Sequence, residues 1–325
     1  MKNLSQSKAQ QLIEHMMSGS MSHQDIVDTL RALAEKGEHA DEIVGAVRAM
    51  RSRMMQISAP LESIDTCGTG GDGKHTFNIS TTVALVVAGT GVPVVKHGNR
   101  KASSLCGSAD VLEELGVKIA LTPLQAKNIL SKVGTVFLYA PIYHPTMKYV
   151  ARARQELGTR TIFNLLGPFT NPAKVTRQII GVPNPEILEI LTKVAKNLDY
   201  KYLALVTSED GLDEISPVAK SKIKIIHGSR ESSIEVNPNQ YGMHHTSLEK
   251  IIGGDAKKNS RIILSVLNGK KGLARDVVLL NAAMAILVSG RANSFDQGLY
   301  IAKRSIDSGA AQKILESFIL ESNKV

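Results

Sequence analysis

The sequence contains no tryptophan and only seven tyrosines and six phenylalanines in 325 residues, so an aromatic platform for stacking nucleic-acid bases has little to be built from. Cysteine is equally scarce. Cys67 and Cys106 lie in neither CxxC nor zinc-finger spacing, which argues against a disulfide framework or a thiolate-held metal and fits a reducing compartment. Long apolar runs are missing too, since glycine, asparagine or charge interrupts each one before the roughly 20 residues that span a bilayer. The N-terminal MKNLSQSKAQQ has no signal-peptide core, so a cytoplasmic location and no membrane partner are expected.

What is present is ordinary globular composition, 43% hydrophobic and 21% charged, in a chain long enough for one large domain and a smaller one. The charge is lopsided. A net charge of +9 serves either nonspecific nucleic-acid binding or the convergence of basic groups on a small polyanion, and charge alone does not choose between them.

The first 55 residues read as three short amphipathic helices, with apolar faces at Leu12, Ile13, Met16 and Met17, at Ile26, Val27, Leu30 and Leu33, and at Ile43, Val44, Val47, Met50 and Met54. Ser22 with Asp25 forms a capping pattern before the second helix, and Gly37 suits its stop. Residues 54–60 form the expected linker. From Ser63 on, strands alternate with helices, which predicts an α/β domain with a mostly parallel central sheet. Strands are expected at 92–95, 117–121, 135–139, 161–163, 178–182 and 202–206, with more irregular ones at 220–226 and 233–236. Thr122 with Pro123, Asn184 with Pro185, and Ser294 with Gln297 mark helix starts, and the nearly unbroken apolar run from Val277 to Val288 predicts a buried helix. The expected division is a helical unit over 1–58 and an α/β unit over 59–325, with part of 123–170 packing against the helical unit.

The stretch from Ser63 to Leu115 carries the chemistry. GTGGDG at 68–73 matches GxGxxG, but a dinucleotide fold wants an acidic residue about 20 positions on, where Val94, Val95 and Lys96 stand. Gly68, Gly73 and Lys74 nearly match a P-loop, but His75 occupies the position of the metal-binding Ser or Thr. Both readings fail on one required residue. What survives is a glycine-rich turn whose N–H groups, with a following helix N-terminus, can cradle an anion. Asn78, Ser80 and Thr81 add amide and hydroxyl groups where the next helix starts, although capping explains each of them singly. Lys96, His97, Asn99, Arg100 and Lys101 follow a buried strand, the end of an α/β sheet where ligands bind; a solvated basic loop is the plainer alternative. Glu209, Asp210, Asp213 and Glu214 place four carboxylates within six residues, which suits Mg²⁺ or a solvated acidic turn. Arg152 and Arg154 are two apart on a helix, so at most one of them faces a given pocket.

The ordered set DTCGTGGDG, NIST, KHGNRKASS, GSADVLEELG, RQELGTRTIFNLLGP, NPA and GLDEIS resembles the anthranilate phosphoribosyltransferase family over nearly the whole chain. The resemblance implies transfer of the phosphoribosyl group of 5-phosphoribosyl 1-diphosphate (PRPP) to the amine of anthranilate in tryptophan biosynthesis. It also implies two Mg²⁺ ions per monomer, a homodimer joined through the helical unit, and an anthranilate synthase as a candidate partner. By motif, Gly68, Gly71, Asp72, Thr76, Asn78, Ile79, Ser80 and Thr81 would bind PRPP. Lys96, His97, Gly98, Asn99, Arg100, Lys101, Ala102, Ser103, Ser104 and Ser108 would cover its phosphates, with Lys96 and His97 contributing electrostatically and no dedicated acid or base. Gly68, Asn99 and Arg154 would meet anthranilate; Ser80, Asp213 and Glu214 would hold the metal. The chain departs from the family pattern at Tyr143, where histidine is commoner and which bears on the anthranilate channel, and at Phe169 and Thr170. The competing readings are a pyrimidine nucleoside phosphorylase of the same fold, and a non-catalytic nucleic-acid-binding relative, which should lack the complete donor and metal set; with that set in hand, no nucleic acid is expected.

Overall fold

The structure, a computed structural model, describes residues 2–100 and 105–325. Three helices open the chain, α1 (Gln6–Met16), α2 (His23–Lys36) and α3 (Ala40–Arg53). As the cap pattern predicts, the Ser22 hydroxyl accepts from the Asp25 N–H, and Gly37 ends α2 at φ 79°. The second unit alternates β1 (Ile64–Gly68), α4 (Ile79–Ala88), β2 (Val94–Gly98), α5 (Ser108–Glu114), α6 (Pro123–Val133), β3 (Thr135–Tyr139), α7 (Ala140–Tyr143), α8 (Lys148–Leu157), α9 (Phe163–Leu166), β4 (Arg177–Gly181), α10 (Pro185–Lys196) and β5 (Tyr202–Ser208). It closes with β6 (Ser221–His227), β7 (Arg230–Val236), α11 (Ala256–Leu267), α12 (Leu273–Ser289), α13 (Phe295–Asp307) and α14 (Ala310–Asn323).

The seven strands form one sheet in the order β3-β2-β1-β4-β5-β6-β7. The first five are parallel and the last two antiparallel. Strand order therefore reverses between β1 and β4, and in open α/β sheets the crevice beyond the carboxyl ends of the strands at such a point takes the ligand. Two cores flank the sheet. One packs α4 and α12 against it, with Val277 and Val278 at 0% exposure, as expected of an apolar run placed inside. The other joins α1–α3 to Val150, Ala153, Phe163 and Leu166 and, beyond them, to Ile180 and Leu205 of the sheet. Among the described residues no helix is long and apolar enough to cross a membrane.

Two expected strands are corrected, and one strand was not expected. Residues 117–121 keep the period-two burial of a strand, with Val117, Ile119 and Leu121 inside, but pair with no neighbour; the Lys118 N–H is taken instead by the Ser322 hydroxyl at 3.1 Å. Residues 161–163 are not a strand either: the Asn164 carboxamide accepts from the Thr161 N–H at 3.0 Å and the chain turns into α9. The central strand β1, in contrast, has no sequence signature, because IDTCG contains one aliphatic residue and runs straight into glycines.

Candidate active site

β1 and β4 pair in register from Ile64 opposite Arg177 to Gly68 opposite Gly181, so two glycines sit side by side at the strand ends where the order reverses. Here side chains are excluded for a visible reason. A Cβ on Gly181 would lie 1.5 Å from the Asp213 carbonyl oxygen, and one on Gly68 would lie 2.7 Å from Asp213 Oδ2. Glycine thus lets the acidic turn after β5 reach the sheet edge. Gly70, Gly71 and Gly73 all have positive φ, bending the loop over this point, and the Thr69 N–H donates to the Gly181 carbonyl at 2.9 Å.

The polar row beyond the loop lies at the start of α4. Asn78 donates to the Cys106 carbonyl at 3.1 Å and accepts from Asn259 at 2.9 Å, which fixes the helix entrance against α11. Lys96 is 4% exposed; its ammonium donates to the Thr66 carbonyl and to the Ser80 hydroxyl at 3.2 Å. It thus lies buried beneath the start of α4. Thr81 Oγ1 is buried with no partner among the described residues. Thr76 forms an isolated bridge with Ile252. Ser108 donates to the Asn99 carbonyl at 3.2 Å, and its hydroxyl lies 2.3 Å from where a Gly98 Cβ would be, so Gly98 must lack one. Arg100 is turned outward into a bidentate pair with Glu113 and a 3.1 Å contact with Asp110. Lys101, Ala102, Ser103 and Ser104 lie outside the described residues.

Burial raises the Asp213 carboxyl above its ordinary range, and the hydrogen-bonded Asp72 carboxyl raises it further. Glu214 is raised by burial and by Asp213, against the pull of Lys96. Crowded carboxyls that repel one another are a hard-oxygen donor set suited to a divalent cation. Among the described residues no three His, Cys, Asp or Glu side chains converge closely enough to hold an ion alone. That fits Mg²⁺, which keeps waters and substrate phosphate oxygens in its shell and needs only one or two carboxylates.

Beside the glycine-rich loop and the acidic turn opens a cavity of about 510 Å³. One wall is the end of β2 with His97, Gly98 and Asn99; the other is α8 and the 163–170 segment, with Arg154, Asn164 and Thr170; Gly68 lies between. Arg154 faces the cavity with its guanidinium 5.5 Å from the centre of the Phe163 ring and no carboxylate partner among the described residues, while Arg152 is exposed. Desolvation lowers its pKa. His97 and His144 lie with ring centroids 5.0 Å apart. Burial lowers His97 to about 3 and His144 to about 4, so both are neutral. One ring nitrogen of each bonds a backbone group, at Gly167 and Thr170, which leaves each Nε2 without a partner. His97 therefore contributes no charge, contrary to its place in the basic cluster, because the strand end is dry.

Gly68, Asn99 and Arg154, which the family resemblance places at anthranilate, all line this cavity. No role was expected for Asp65, Thr69, His144, Asn164 or Thr170, which tertiary packing brings to the cavity; Thr170 drew notice only as a departure from the family pattern. Tyr143 does not line the cavity: its side chain is 0% exposed and its hydroxyl donates to the Leu121 carbonyl at 3.1 Å. This departure is a core substitution.

Residues 61–312 match the a/b domain of the glycosyl transferase family and residues 1–54 its helical bundle domain. The chain is 48% identical to the anthranilate phosphoribosyltransferase of Symbiobacterium thermophilum over 97% of this chain and 93% of that protein. Its structure superposes on that of anthranilate phosphoribosyltransferase from Thermus thermophilus with a TM-score of 0.91 at 34% identity, covering 99% and 97% of the two chains. The enzyme of that name from Saccharomyces cerevisiae, in complex with PRPP and Mg, gives 0.90 at 28% identity, covering 99% and 94%.

Proposed function

The chain belongs to the glycosyl transferase family built from this helical bundle and this a/b domain, and from that premise we infer that it transfers the phosphoribosyl group of PRPP to the amino group of anthranilate. The products are N-(5-phosphoribosyl)anthranilate and pyrophosphate, and the reaction is an Mg²⁺-dependent pentosyl transfer in L-tryptophan biosynthesis. The observation that carries the reading at the level of residues is Arg154: a half-buried guanidinium with no carboxylate partner among the described residues, lining the same cavity as the glycine-rich strand end.

The amine attacks the anomeric carbon as the bond to the diphosphate breaks; the electron pair leaves with pyrophosphate, and the nitrogen then sheds one proton to solvent. Positive charge develops on the ribose and negative charge on the leaving group, so positioning and electrostatics carry most of the work. Gly68, Gly71, Asp72, Thr76, Asn78, Ile79, Ser80 and Thr81 form the donor half, and Ser108 with Lys96, Gly98 and the 101–104 stretch covers the phosphates, whereas Arg100 is held away by Glu113 and Asp110. Ser80, Asp213 and Glu214 would hold Mg²⁺, which would neutralise the charge developing on the diphosphate. Arg154 pairs with the anthranilate carboxylate and Asn99 lies against the same substrate. The neutral rings of His97 and His144 offer Nε2 as acceptors for the amine N–H without repelling the cationic ribose. Two ions per monomer, a homodimer joined through α1–α3, a cytoplasmic location, a capacity to meet anthranilate synthase, and the division at 58/59 complete the proposal.

The test is direct. Purified protein with Mg²⁺ and PRPP should consume anthranilate, followed by its fluorescence. Failure to do so, together with tight DNA binding at physiological salt, would replace the transferase reading with the nucleic-acid one.

A further inference from the structure

Asp65 takes no part in the mechanism above, yet it lines the cavity from the middle of the sheet at 1% exposure. Its Oδ2 accepts from Asn171 Nδ2 at 2.9 Å and from Gln178 Nε2 at 3.3 Å, while Oδ1 accepts from the His97 N–H at 3.4 Å. Each amide reaches onward. Asn171 Nδ2 also donates to the Val95 carbonyl at 2.8 Å, and Gln178 Nε2 to the Pro168 carbonyl at 2.7 Å; Gln178 Oε1 in turn accepts from the Tyr200 hydroxyl at 2.9 Å. One carboxylate therefore ties the end of β2, which carries His97 and Asn99, to the 167–171 turn, whose backbone at Gly167 and Thr170 holds the two histidine rings.

We propose that Asp65 is a positioning residue for the acceptor: by bonding both walls at once it sets the width of the cavity and the placement of His97, Asn99 and the 167–171 turn against the anthranilate ring. This rests on the function proposed above. A carboxylate is suited to the place because it accepts on both oxygens, and the neighbours at Oδ2 are two carboxamide nitrogens, which only donate. Its charge is opposed by the adjacent buried Lys96, and burial lifts its pKa to about 6, the mark of a group held in a dry hub. A carboxamide in its place has one accepting oxygen and one donating nitrogen, so at least one strut must break and leave buried donors facing each other.

The test is Asp65→Asn in the full chain, assayed at saturating Mg²⁺ for both substrates. The expected result is an anthranilate KM raised about 10-fold with the PRPP KM within twofold of wild type. Discrimination should also weaken, with the kcat/KM ratio of a bulkier ring-substituted anthranilate to anthranilate rising, because a loosened wall admits the larger ring. A purely structural role would lower Tm and leave both KM values and the ratio unchanged, and that result overturns the proposal; so does an equal rise in both KM values. If Asp65→Asn does not fold, Gln178→Met removes the Gln178 bonds to Asp65, Pro168 and Tyr200 at nearly constant volume while leaving the Asn171 and His97 bonds to Asp65, and carries the same two readouts at a smaller size, about threefold in anthranilate KM. Wild-type protein that does not turn over anthranilate refutes the function itself, whereas active wild type with unaltered variants refutes only the role of Asp65.

Discussion

Replacing Arg154 with alanine tests the acceptor half of the site most sharply. The guanidinium is partly desolvated, lies over the Phe163 ring and has no carboxylate partner among the described residues, so an incoming carboxylate would complete it. A hydrogen bond to a charged group is worth about 1.5–3 kcal/mol. At about 1.4 kcal/mol per factor of ten, losing one such interaction raises the anthranilate KM about 10- to 150-fold. The ring contact belongs to the arginine in free and bound enzyme alike, so its loss falls mainly on stability. The proposed donor site is the glycine loop and the start of α4, elements apart from Arg154, so the PRPP KM should stay within about twofold. Initial rates by anthranilate fluorescence, with each substrate varied at saturating levels of the other, separate the two constants. Equal increases in both KM values would remove Arg154 from the acceptor site, and an unchanged anthranilate KM would refute carboxylate pairing altogether.

Replacing Asp213 and Glu214 together with alanine should shift the Mg²⁺ dependence of PRPP binding, measured by calorimetry, to higher concentration; an unchanged titration would remove the pair from the metal site. His144 is held neutral at a pKa of about 4 while the unfolded chain takes up its proton near the ordinary value of 6.5. The unfolded state thus binds more protons between those limits, and stability falls as pH drops through the window by about 1.4 kcal/mol per pH unit. Urea unfolding of His144→Asn between pH 7 and 4.5 should show a correspondingly shallower decline than wild type; an identical slope would refute the burial argument. Tyr143→Phe leaves the buried Leu121 carbonyl without its donor and should cost about 1–2 kcal/mol in urea unfolding. Its anthranilate KM should stay within twofold, and a larger change would return Tyr143 to the acceptor channel.

Local signals in the sequence were reliable where the physics is local. The caps at Ser22, Thr122, Asn184 and Ser294 each accept a backbone N–H from within their own first turn, and such bonds depend on residues three apart. The apolar run in α12 lies buried because a helix hydrophobic on every side has no other stable place. Where a signal needed a partner it misled. Residues 117–121 alternate as a strand does, but whether a ladder forms depends on a neighbour that the packing of α14 takes away. β1 was unreadable for the opposite reason, since parallel neighbours on both sides hold it in place whatever its composition.

By itself the sequence determined the glycine-rich turn from Gly68 to Gly73, the hydroxyl row at Asn78 to Thr81, the acidic turn at Asp213 and the ordered motifs of a phosphoribosyl-transferring family. These are properties of chain flexibility and functional groups at fixed spacing. Only the tertiary structure decided that β1 and β4 flank the reversal of strand order, that Gly181 must lack a side chain so that Asp213 can reach Gly68, and that Arg154 rather than Arg152 faces the cavity. It also decided the charge of the site. His97 stands in a basic cluster on paper, but burial against His144 keeps its ring neutral, and desolvation is set by what the rest of the chain packs around it.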